Sequence, residues 1–215
     1  MKTYKFGNTV IHLHQNDIPK NINLSDVIAI DSETTGLSLV RDKLRLIQLA
    51  VSDKECHFIK FDNNFFQDGK KPNELINLLS NPNITKIFHY ARFDLAMIKK
   101  YLELNLSNVF CTKVASKLVR TYTDKHGLKD LCKELLKKDL NKSSQSSDWS
   151  IEELSNDQLK YASHDVIHLF KLKLILEKML VREGRINLAK KTFEFLPSRV
   201  DLDLSGWNEI DIFSH

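Results

Sequence analysis

The 215-residue chain is 42% apolar and 28% charged, which suits one domain with a sizeable core, and its six glycines and four prolines exclude a collagen-like or low-complexity chain. A formal net charge of +4 is compatible with a phosphate-bearing ligand and far below that of a protein wrapping long duplexes. No run of 18 apolar residues, no signal-peptide pattern and no CxxC spacing among Cys56, Cys111 and Cys132 are present, so a cytoplasmic protein without a disulfide framework or a zinc ribbon is expected.

In chain order, His12 and His14 sit in a strand-like N-terminal segment and read as structural or exposed. Residues 26–31 (DVIAID) are a short apolar run ending in an acid, the pattern of a buried strand. Residues 44–51 (LRLIQLAV) and 56–61 (CHFIKF) read as two more strands, and the short links predict an antiparallel meander. A helix is expected over 72–79, a fourth strand over 84–89 and a helix over 91–102. A short fifth strand at 108–111 precedes a helix to Val119, and 127–136 places Leu128, Leu131, Leu135 and Leu136 on one helical face. Beyond the polar stretch 141–148, with Asp148 or Ser150 as cap, one helix spans 151–159 and a longer one runs from about Asn156 to about Glu183, closed by Gly184. Three meander strands followed by strand–helix units predict an α/β, ribonuclease H-like mixed five-stranded sheet with helices on both faces.

Four carboxylates fall where such a sheet gathers side chains. Asp31 ends the first meander strand and Glu33 lies two residues on, so in extended chain both reach one face. Asp94 opens a helix after the fourth strand, where a carboxylate is favoured by the helix dipole. Asp165 lies four residues after Tyr161, on the same helical face. Hard divalent ions take oxygen ligands, and four carboxylates suit two Mg²⁺ or Mn²⁺ ions roughly 3.5–4 Å apart. One ion then activates water while the other stabilises the leaving 3′-oxygen, and a protonated Tyr161 orients the water.

The strings D-S-E-T-T-G-L, H-Y-A-R-F-D and Y-A-S-H-D, in this order, resemble the motifs of four-carboxylate-plus-tyrosine 3′–5′ exonucleases. The resemblance makes Asp31, Glu33, Asp94 and Asp165 metal ligands and Tyr161 the water-positioning residue. It puts the Thr34 backbone on the terminal 3′-hydroxyl and Leu37 beside the terminal base. The second motif supplies His89 and Arg92 as further substrate contacts, and departs from many relatives in carrying Tyr90 where they have Asn. Three further stretches (FCTKVASKLVRTYTDKHGLK, SSQSSDW and the C-terminal FLPSRVDLDLSGWNEIDIFSH) are similar to the nanoRNase C group, a compact branch related to ribonuclease D. That similarity implies exoribonuclease activity on very short RNA, down to dinucleotides, and a ring-like homo-oligomer of eight subunits. With no internal repeat or low-complexity tract, the chain reads as one exonuclease domain, 1–184, with a C-terminal extension, 185–215, expected to form an oligomer interface.

Other features have competing readings. Gln145, Ser147 and Trp149 suit a cradle for a 5′-phosphate and a stacked base, or else belong to a polar linker. The basic and aromatic run 120–126 suits a single-strand contact or a solvated loop. His164 and His168 are spaced i, i+4 like a zinc pair but lack a third soft ligand. Leu202, Leu204, Trp207, Ile210, Ile212 and Phe213 are costly to leave in water, and the acids between them could meet basic patches on a neighbouring subunit. A DNA exonuclease and a non-catalytic nucleic-acid-binding scaffold are the rival functions.

Overall fold

In the computed structural model, which describes residues 1–22, 25–140 and 147–215, the chain opens with a hairpin of β1 (Lys2–Phe6) and β2 (Thr9–Gln15). The expected meander follows as β3 (Val27–Thr34), β4 (Leu44–Ala50) and β5 (Glu55–Lys60), paired antiparallel in sequence. Then come β6 (Thr85–Phe88), parallel to β3, and β7 (Val109–Cys111), parallel to β6. Among the described residues the sheet therefore has seven strands, not five, in the order β1-β2-β5-β4-β3-β6-β7. The two extra strands join because the pattern TVIHLHQ lets β2 pair in parallel with β5, with the His14 and His57 rings stacked across the seam.

Helices α1 (Asn73–Ser80), α2 (Ala91–Leu102), α3 (Thr112–Val119) and α4 (Leu128–Leu136) match their expected spans closely. The helix expected over 151–159 does not form. Ser155 instead starts α5 (Asn156–Ile167) through a capping box: its hydroxyl accepts from Gln158 N at 3.2 Å, and its own N–H donates to the Gln158 side chain at 2.9 Å. Asp148 caps only a turn, accepting from Ser150 N. The long helix is split at His168, after which α6 (Leu169–Arg182) begins. Gly184, at φ +66°, closes it as expected, with Arg185 N donating to Leu180 O at 2.8 Å.

Of the residues beyond Gly184, those up to Asp203 pack against the domain and 204–215 are exposed. Helix α7 (Ile186–Leu202) packs on α2, α3, α6 and β7, burying Ala189, Phe193, Leu196 and Val200, and ends in a π-type turn at Asp203–Trp207. Among the described residues no helix is long and apolar enough to cross a membrane.

Candidate active site

Strand β3 continues past Asp31 to Thr34 because the ladder to β4 continues: Asp31 faces Gln48, Ser32 faces Ile47 and Glu33 faces Leu46. Two-residue alternation then puts the Asp31 and Glu33 side chains on one face. A bulge between Glu33 and Thr34 ends the regular pairing and turns the chain into the 35–43 loop. From the neighbouring strand β6, His89 and a left-handed Tyr90 (φ +70°, ψ +45°) swing the chain into α2, whose first turn carries Asp94. Helix α5 packs on β3 and β4 and presents Tyr161 and Asp165 one turn apart.

These placements converge. Asp31, Glu33 and Asp165 each offer a carboxylate oxygen within 4.8 Å of the others. Asp94, 3% exposed, stands just outside that set, its Oδ1 accepting from the Ser32 hydroxyl at 2.6 Å. Burial, then the neighbouring carboxylates, pushes Asp31 and Glu33 well above the ordinary carboxylate range. Burial also raises Asp94, against the opposing hydrogen bond from Ser32. Such a cluster favours a compensating cation, and an all-oxygen donor set suits hard divalent ions. Burial raises the Tyr161 phenol too, with Asp165, Glu33 and Asp31 adding to it, so the hydroxyl keeps its proton. His164 and His168, whose rings lie 5.7 Å apart, join no metal-ligand cluster among the described residues.

The carboxylates and Tyr161 line a cavity of about 530 Å³ with Thr34, Leu37, His89, Ser147 and Trp149. Thr34 Oγ1 donates to Gly36 O at 2.5 Å, and Leu37, 84% exposed, stands free at the rim. His89 Nδ1 lies 2.9 Å from Thr112 Oγ1. Trp149 is only 2% exposed, its ring 6.3 Å from that of Tyr161, so it forms a wall of the cavity rather than an open stacking platform. Gln145 lies outside the described residues. Arg92 is engaged within the chain: its guanidinium is held by buried Asp203 through Nε at 2.5 Å and Nη2 at 2.6 Å, and also donates to Asn208 O. It anchors the π-type turn to α2 and lines, with Leu37, Tyr90 and Phe93, a cavity adjoining the carboxylate one. Arg120 is likewise taken, buried against Glu134 and donating to Lys125 O at 2.6 Å, so its part of the 120–126 run is structural.

Three supporting residues escaped the sequence reading. Ser32 was hidden between two acids, and its bond to Asp94 needs the fold. Gln48 is a lone amide in the apolar β4, directly across from Asp31, fully buried and with neither amide atom hydrogen-bonded; that polar interruption was a legible signal. Asp42 organises the loop that carries Leu37, accepting from Ser38 N at 2.8 Å and from Arg41 Nε at 3.0 Å. The Arg41 and Ser38 bonds hold its carboxyl down to about 2.

Gly36 makes room for that carboxylate. A Cβ there would lie 2.4 Å from Asp42 Oδ2, closer than any real contact. In Gly36→Ala, kcat/KM should fall by ~10-fold or more as Leu37 is displaced, because small misplacements of substrate-positioning groups are costly. Steady-state kinetics on a dinucleotide, beside an unchanged thermal shift on adding Mg²⁺, checks this. Wild-type kinetics in the variant would mean that the loop yields without consequence.

With this geometry in place, three comparisons bear on it. A family model described as 3′–5′ exonuclease matches residues 14–181. NrnC of Brucella melitensis, solved bound to pGG, is 48% identical with a TM-score of 0.88, covering 95% of this chain and 98% of that one. The structure of the same protein with bound Mg²⁺ is 47% identical with a TM-score of 0.87, at the same coverage. Ribonuclease D of Gluconacetobacter diazotrophicus is 32% identical over 160 residues, 74% of this chain, and the chain spans only 39% of that relative's length. The ribonuclease H-like α/β fold is thus shared with proteins of matching local sequence.

Proposed function

Because the chain belongs to the 3′–5′ exonuclease family, we propose that it hydrolyses short single-stranded RNA from the 3′ end, down to dinucleotides, releasing nucleoside 5′-monophosphates. One observation carries the reading: three carboxylates meet beside Asp94 and a protonated Tyr161 in a single open cavity. Asp31, Glu33, Asp94 and Asp165 would hold two divalent cations, Mg²⁺ or Mn²⁺. Bound there, the cations supply Lewis acidity for an in-line attack of water on the last phosphodiester. Tyr161 donates its phenolic proton to orient that water, since a group that stays protonated is a donor and no base. Leu37 packs beside the terminal base and the Thr34 backbone meets the 3′-hydroxyl, while His89, Ser147, Trp149 and Gln145 contact the rest of a short substrate. The structures of Brucella NrnC with pGG and with Mg²⁺ support this substrate and metal class. The cytoplasm is the compartment such a substrate implies.

Product analysis from 5′-labelled RNA and matched DNA, from dinucleotides to about twenty nucleotides with Mg²⁺ or Mn²⁺, tests the reading. Stepwise loss of nucleoside 5′-monophosphate from RNA, fastest on the shortest chains, supports it. Faster trimming of the DNA set would make this a DNA exonuclease, and binding without turnover a scaffold.

The proposal extends to assembly as a ring-like homo-oligomer of eight subunits. Leu204, Trp207, Ile210, Ile212 and Phe213 lie exposed along the C-terminal segment, and apolar area favours burial by roughly 25 cal/mol per Å². Asp201 and Asp203 are not free for a neighbour, being paired with Lys99 and with Arg92 and Arg199 inside the same chain. Removal of residues 209–215 leaves those pairs intact and should lower the mass read by light scattering. An unchanged mass would show that these residues do not join subunits.

A further inference from the structure

A second cavity, of about 350 Å³, shares no lining residue with the carboxylate cavity. Its walls come from the start of β4, the 63–71 segment and the end of α2, and include Lys43, Arg45, Phe66, Lys70, Lys100 and Tyr101. Arg45 is its most telling member. The residue is only 7% exposed, yet among the described residues its Nε has no hydrogen-bond partner, and its one side-chain bond, Nη1 to Asn63 O at 3.3 Å, is to another wall of the same cavity. No carboxylate pairs with Arg45 or Lys43 among the described residues. A buried cation without a counter-charge is expensive, and an anion in the cavity removes that cost.

The surrounding charge narrows the anion. Glu103 is the one acid in the lining and is already paired with Lys71, and Lys70 is paired with Asp68 outside it. Lys100 is fixed by its bonds to Leu39 O and Val40 O at 2.7 and 2.9 Å, so its charge stays in the wall at no further ordering cost. Among the described residues Lys43 and Arg45 thus face the volume without a paired acid, and Lys100, on which Asp42 also acts, adds a third cation to its wall. Three cations suit a doubly charged phosphomonoester better than a carboxylate or a single phosphodiester, and a guanidinium matches its oxygens geometrically. Phe66 and Tyr101, with ring centroids 5.0 Å apart, add an aromatic surface of the kind on which a base stacks. The volume is that of a small-molecule site.

We infer that this cavity binds the 5′-phosphate of a nucleotide, separately from the catalytic carboxylates. The phosphate would belong either to a free nucleoside monophosphate or to the 5′ end of an RNA. Occupancy there touches the loop that carries Leu37, because Lys43 O accepts from Thr35 N and Lys43 N donates to Thr35 Oγ1. The inference does not depend on hydrolysis, since an inactive protein would bind here equally well.

Calorimetric titration of the full chain in EDTA tests it, with adenosine 5′-monophosphate, adenosine, and a ten-nucleotide RNA with and without a 5′-phosphate as probes. The exposed pair Lys43→Gln/Lys100→Gln should weaken binding of the phosphorylated probe by at least ~10-fold. Arg45→Gln should do the same, and if that buried change prevents folding the two surface lysines decide the matter. Asp165→Asn should leave the affinity unchanged. Adenosine should not bind. Dependence on the lysines for the monophosphate identifies a free nucleotide as the ligand, and dependence only for the 5′-phosphorylated RNA identifies the RNA end. Equal affinity in the lysine variant, loss of binding in Asp165→Asn, or no binding of either phosphorylated probe would overturn the inference.

Discussion

Asp31→Asn will lose turnover on the order of 10³-fold while gaining stability in the absence of metal. The two effects have one cause. Asp31 is held beside Asp94, Asp165 and Glu33 under a burial that already disfavours its charge. The amide keeps the shape, removes the repulsion and removes an anionic ligand. For a domain of this size, each kcal/mol of relieved repulsion raises Tm by roughly 2–4 °C. Wild-type protein should gain Tm on adding Mg²⁺, by the linkage of binding to folding, and the variant should gain less. Thermal melts with EDTA and with Mg²⁺, read beside single-turnover rates, check both halves. A variant that loses activity and also melts earlier would make Asp31 a structural residue, and one that keeps its rate would remove it from the site.

Tyr161→Phe should cost about 10²-fold or more in the single-turnover rate and leave the Mg²⁺-induced rise in Tm intact. The ring packs against the core near Trp149, and phenylalanine keeps that packing. What goes is a hydroxyl whose proton is secured by burial and by three nearby carboxylates. Since those carboxylates remain, metal binding should survive while water loses its orienting donor. A wild-type single-turnover rate would reduce Tyr161 to a packing residue.

The local elements that carry the chemistry were legible in the sequence because each rests on short-range physics. Two-residue alternation sets Asp31 and Glu33 on one face, a four-residue step sets Tyr161 and Asp165 on another, and a carboxylate in the first turn of α2 is favoured by the dipole. Gly184 announced the end of α6 for the same reason, since a left-handed residue there suits glycine. Capping chemistry was equally local at Ser155, but the polar residues before it obscured which cap would win.

Only tertiary structure could decide what depends on partners distant in the chain. The hairpin of β1 and β2 joins the sheet because β5 offers a free edge some forty residues away. The motif alone does not disclose that Asp203, more than a hundred residues later, holds the Arg92 guanidinium. Trp149 became a cavity wall because Tyr161 packs near it, and Arg45 became an unpaired buried cation because of what folds around β4 rather than of its neighbours in sequence. A side chain's periodicity is set by the backbone it stands on, whereas its burial and its ionic partner are set by whichever surface folds against it.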